Sequence, residues 1–224
     1  MKLVVNLQIE MTIKYKTTMK RLLTAIVLML AFTAGWADSP LTSTHFADAY
    51  SDHPMVQMAS EEMQSNISTT LLNFLSDKQA PVDVRLAVVN KLGWNFNGTT
   101  VGAQLGEYLM GRYGAKNEAK LVKKLDAGTL AVYAYAKAMS NYFDVKAASE
   151  LGHQALKKNK KTKSFSVAMA SALIDAQDYM HTVDNWGMIY KVVAGVLHDG
   201  SLHLDMRQEA IDNIMEYINL YQGE

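Results

Sequence analysis

The 224-residue chain contains no cysteine. That absence removes disulfides, thiolate nucleophiles, cysteine-ligated zinc and a lipid-modified cysteine. Proline is scarce, at positions 40, 54 and 81. Pro40 falls in a polar stretch, while Pro54 and Pro81 fall where a helix would begin and a missing N–H costs nothing. Net charge is also absent, with 22 basic residues against 22 acidic. A balanced chain argues against a general nucleic-acid surface. There is no His-Glu-x-x-His, no Gly-x-Ser-x-Gly and no calcium-binding loop, so the usual metalloprotease, hydrolase and EF-hand readings have no footing. No cofactor is implied. The conspicuous apolar run, Leu22–Ala34, has 13 residues, too short to cross about 30 Å of hydrocarbon comfortably.

That run organises the chain. Lys20–Arg21 precede it and Gly35–Trp36–Ala37 follow it. A basic flank, a short apolar core and small residues at the end form the layout of a secretory signal peptide. Cleavage is expected between Ala37 and Asp38, the alternative being an uncleaved amino-terminal anchor. Met19 begins a normal leader by itself, so residues 1–18 read as an extension from a mis-assigned start. Residues 1–37 hold five basic residues and one acidic. Their removal leaves a mature chain with a net charge of −4. The expected setting is the bacterial periplasm or cell surface, with no membrane span after cleavage. At 187 residues, 38–224, about 70% of the unfolded surface can be buried, enough for one core without disulfides.

The periodicity of the mature chain is helical. Residues 38–53 read as a flexible arm and 54–224 as a single helical domain. Met55, Met58, Met63, Ile67, Leu71, Phe74 and Leu75 recur in steps of three and four, predicting a helix over 55–75. Further helices are predicted over 82–92, from Thr99 or Thr100 to Gly114, and over 116–125, 130–142, 145–158, 165–180, 186–197 and 206–221. Asp205 and Gln208 are spaced as a capping box for the last of these. No stretch reads as a convincing strand. The expected fold is all-α, with about eight antiparallel helices arranged as a solenoid-like stack of hairpins or as a compact orthogonal bundle.

Two stretches carry a family resemblance. Residues 81–93, PVDVRLAVVNKLG, place Asp83 and Arg85 just after a turn and before an apolar face. This resembles the second helix of HEAT-type repeats. Ala136, Ala148 and Ala155 fall at the small-residue spacings of a tetratricopeptide repeat. The step from Thr129 to Ser164 is close to that repeat's period of 34 residues. Both resemblances imply stacked helical hairpins with a concave surface that takes a protein or peptide.

Candidate functional residues are few. Tyr133, Tyr135 and Tyr142 would line such a groove, and Trp94 stands at a loop as a further binding candidate. His198, Asp199 and His203, with Asp205 close by, form a weak metal-ligand set. His181 and Asp184 form a possible general-base pair at a helix junction. The run 157–163, KKNKKTK, holds five lysines and reads either as a solvated turn or as an anion contact. The leading expectation is an exported helical-repeat scaffold that binds a protein or peptide without catalysis. The alternatives are an exported hydrolase using His and Asp/Glu in an inter-helix pocket, and a structural envelope protein without a ligand.

Overall fold

A computed structural model describes residues 39–62, 66–94, 100–182 and 186–224. The leader and its cleavage site lie outside them, as do Met63, Phe96, Thr99 and Asp184. The fold is all-α. Among the described residues there are ten α-helices: α1 (Pro54–Glu61), α2 (Thr69–Ser76), α3 (Val82–Leu92), α4 (Val101–Tyr113), α5 (Glu118–Lys124), α6 (Ala127–Ser140), α7 (Lys146–Asn159), α8 (Phe165–Thr182), α9 (Gly187–Leu197) and α10 (Gln208–Ile218). Short 3-10 turns cover Phe46–Tyr50 and Asn219–Tyr221. An isolated bridge joins Ser164 and His203.

Local capping explains most boundaries. The helix predicted over 55–75 is two helices. Glu62 leaves α1 in extended backbone, and its carboxylate accepts the Ser68 N–H at 2.8 Å. The Ser68 hydroxyl then accepts the Leu71 N–H and starts α2. A new cap overrides an apolar spacing that continues through the break. Thr100 caps α4 and Asp126 caps α6. The His53 side chain caps α1. Asp205 does not cap α10, which has no side-chain cap. Its carboxylate instead accepts the Ser166 N–H at 2.8 Å, supporting the first turn of α8.

The core is built around α6. Twelve of its fourteen residues are buried, as expected of a helix apolar on every side. It contacts α2, α3, α4, α7 and α8. Small residues make this crowding feasible. A Cβ added at Gly102 would lie 2.8 Å from the Ser140 hydroxyl, and one at Gly106 would lie 2.8 Å from the Tyr133 hydroxyl. Arg85, 1% exposed, reaches from α3 to the Leu75 carbonyl and the Thr129 hydroxyl. It thereby ties the end of α2 to the start of α6. Burial lowers its pKa, and the nearby carboxylates Asp126 and Asp77 oppose that effect.

The segment read as a flexible arm is packed into the core. Leu41, Phe46 and Tyr50 are all 1% exposed or less. The Asn90 side chain accepts the Ala47 N–H and donates to the Thr44 carbonyl. Tyr50 donates to Asp83 at 2.8 Å and accepts the Arg207 N–H at 3.1 Å. The Arg207 guanidinium lies over its ring and pairs with Asp52. The amino-terminal turn therefore contacts both α3 and α10. In an open solenoid each repeat touches only its neighbours. Here the two ends of the described chain meet, and the packing is that of a closed bundle.

Candidate functional site

The four predicted binding residues separate into two groups. Tyr135 is fully buried. Its hydroxyl accepts the Asn90 amide at 3.1 Å, its ring packs on Phe46, and burial pushes its pKa up. Tyr133 is 6% exposed and its hydroxyl donates to Glu118 at 2.6 Å. These two tyrosines serve the packing of α6, and among the described residues no groove presents them together. A helix with small residues on several sides is enclosed by its neighbours rather than laid along a concave surface.

Trp94 and Tyr142, by contrast, are brought together. Their rings meet edge to face with centroids 5.4 Å apart. Phe143 stacks beside Tyr142 at 4.4 Å, and His181 follows Phe143 at 6.2 Å. The result is a row of four rings from three parts of the chain. Trp94 is 38% exposed and Phe143 47%, while Tyr142 is buried beneath them. The row forms where three helices end. Gly93, with φ 73°, terminates α3 and releases Trp94. Asn141 terminates α6 ahead of Tyr142, and His181 lies in the last turn of α8. Gln177 fixes the base of the row. It donates to the Tyr142 carbonyl at 3.0 Å, lies 2.9 Å from the His181 ring nitrogen, and accepts the Leu41 N–H. Trp94 also walls a cleft of about 420 Å³ that contains the Lys91–Asp48 ion pair.

Chemically, the row offers partly exposed aromatic contact surface. Exposed rings offer large contact area at low entropic cost, and their faces attract cations. The carboxy-terminal ends of helices carry partial negative charge. Sequence reading found Trp94 and Tyr142 but not Phe143, which follows Tyr142 directly and reads as one more apolar residue after a helix.

A second, larger cleft of about 860 Å³ lies among α4, α5, α6 and the start of α7. Glu118 lines it, accepting from Tyr133 and from Lys137 at 2.8 Å. Partial burial works to raise the Glu118 pKa, and the bonds from Lys137 and Tyr133 outweigh it, so the carboxyl lies below its usual range. Burial, then the bond to Glu118, pushes the Tyr133 hydroxyl up.

Of the general-base pair His181 and Asp184, Asp184 lies outside the described residues. Asp175 accepts the Ser149 hydroxyl at 2.6 Å and pairs with His153 at 2.9 Å. The carboxylate sits in the middle, so the serine proton points at Asp175 rather than at an imidazole, unlike a nucleophilic triad. His198 ends α9, Asp199 accepts the Ser201 N–H, and the His203 backbone bridges to residues 163 and 165. Among the described residues no group of three or more metal-ligating side chains converges. No described helix is long and apolar enough to cross a membrane. Comparison with family models, curated proteins and solved structures gives no match, so the functional reading rests on geometry.

Proposed function

We propose that this protein is an exported helical binding protein whose aromatic row captures a protein or peptide segment carrying a basic side chain flanked by apolar ones. The observation that carries the reading is the continuous alignment of Trp94, Tyr142, Phe143 and His181 at three converging helix ends. Tryptophan and tyrosine are enriched among the residues that dominate binding energy. Exposed apolar surface in one place marks interaction sites more often than scattered residues do. The partial negative charge of the helix ends and the net charge of −4 on residues 38–224 favour a basic partner. Export rests on the leader layout at residues 20–37, and the exported protein is expected to begin at Asp38 when its amino terminus is sequenced.

The test is selection of displayed random peptides against residues 38–224. Enriched peptides are expected to carry Arg or Lys beside apolar residues. The double variant Trp94→Ala/Phe143→Ala is expected to lose roughly 30-fold or more in affinity, the effect of one hot spot, with unchanged helicity. Selected peptides that bind this variant as well as the parent would remove the aromatic row from the reading.

A further inference from the structure

A separate groove of about 440 Å³ lies between α7, α8 and α9 and shares no lining residue with the aromatic row. Leu156, Ala168, Ala172, Val192, Val196 and Leu202 give it apolar walls. Lys160 and Lys163 stand at one end and Asp175 at the other. Ala168 and Asp175 are seven residues apart on α8, roughly 10 Å along its axis.

The lysine end is built rather than loose. Apart from glycines, Lys163 is the one described residue with positive φ, 52°, a backbone state that costs energy and persists only where its surroundings impose it. The imposing contacts are present. The Lys163 N–H donates to the Asn159 carbonyl at 2.7 Å, and its carbonyl accepts the His203 N–H at 2.6 Å. The Asn159 side chain accepts the Ser164 N–H and donates to the Ser164 carbonyl. Charge at this end is predominantly positive. Of the five lysines in the 157–163 run, Lys158 is committed to the carbonyls of Val122 and Leu125. Lys160 and Lys163 line the groove together with Asp199, whose carboxylate accepts the Ser201 N–H and is held below its usual range by that bond and by the Lys163 charge. Asp175 lies at the far end, bonded to Ser149 and His153.

Apolar walls that end in a cationic mouth fit an amphiphile with one chain and one anionic head. We propose that this groove binds a free medium-chain fatty acid, its carboxylate at Lys160 and Lys163 and its chain lying between α8 and α9. The site is independent of the aromatic row. Gly195 lines the groove, and a Cβ there would meet nothing within 4 Å. A larger side chain at this helical position therefore fills the groove without disturbing the core, and replacing glycine also favours the helix.

The experiment is calorimetric titration of residues 38–224 with octanoate, decanoate and dodecanoate below their micellar concentrations, with decanol as the uncharged control. Affinity is expected to rise about tenfold for each added pair of methylenes, and decanoate is expected to bind more tightly than decanol. Lys160→Gln/Lys163→Gln is expected to weaken decanoate at least tenfold and leave decanol unchanged. Gly195→Leu is expected to abolish binding of both while the melting temperature stays level or rises. Absence of decanoate binding, undiminished binding to Gly195→Leu, or equal binding of decanoate and decanol each overturns the proposal.

Discussion

Gly102 and Gly106 set how closely α4 approaches α6, because each occupies a point where a methyl group would enter the space of Ser140 or Tyr133. At Gly106 the nearest obstructing atom is the Tyr133 hydroxyl, which is also held by Glu118, with two carbons of the same ring at 3.0 and 3.2 Å. Gly106→Ala should therefore cost about 1–3 kcal/mol through overpacking and a displaced hydrogen bond, despite the better helix propensity of alanine. Adding Tyr133→Phe removes the hydroxyl that clashes, so the double variant should lose less stability than the two single variants summed. Denaturant unfolding of the four proteins checks this, and additive losses would show that the two side chains do not meet. That positions 102 and 106 are glycines inside a helical stretch was legible in the sequence. Which residue they face was not, since it depends on the rotation of α4 about its axis.

At the scale of elements, the short helix α5 shows how a seven-residue piece is kept in place. Its first residue, Glu118, pairs with Lys137 and Tyr133 on α6, and Lys158 of α7 donates to carbonyls at 122 and 125. The Glu118 carboxyl titrates below its usual range in the folded chain. Its contribution is thus present above the unfolded-state value and is lost as pH falls through the folded one. Glu118→Gln should be less stable than the parent at neutral pH, with the gap closing as both are acidified to about pH 3, where an ordinary glutamate is protonated. Thermal unfolding across that range measures it, and a gap independent of pH would assign the loss to packing. Both partners are partly exposed, so the gap is small, as for other solvent-screened pairs. Helix ends were legible where a local side chain caps them, as at Thr100. They were misread where the partner is distant: Asp205 serves α8 from 39 residues away.

For the whole molecule, the amino-terminal segment has the largest consequence. Leu41, Phe46 and Tyr50 fill space between α3, α8 and α10, and Tyr50 joins Asp83 to Arg207. A chain that begins at Asp52 should fail to reach the cooperative unfolding transition of one that begins at Asp38, because three large apolar side chains leave the core. Circular dichroism during heating reads the difference, and equal melting temperatures would make the segment dispensable. Pro40, Ser43 and Thr44 gave this stretch the look of a linker. Its polar residues Ser39, Thr42 and Thr44 are buried nonetheless, because Ser39 and Thr42 bond each other and Thr44 bonds the Pro40 carbonyl.

The sequence by itself determined the all-α class, the lack of thiol chemistry and most helix positions. Helical periodicity, local caps and composition are properties of residues near one another in the chain. It also marked Trp94 and Tyr142. Only the tertiary structure decided that Tyr133 and Tyr135 belong to the core, that the ends of the described chain close on each other, and that three helix ends assemble the aromatic row. Those outcomes follow from contacts between distant residues, such as Tyr50 with Arg207 and Gln177 with Leu41, and no spacing within a helix encodes them.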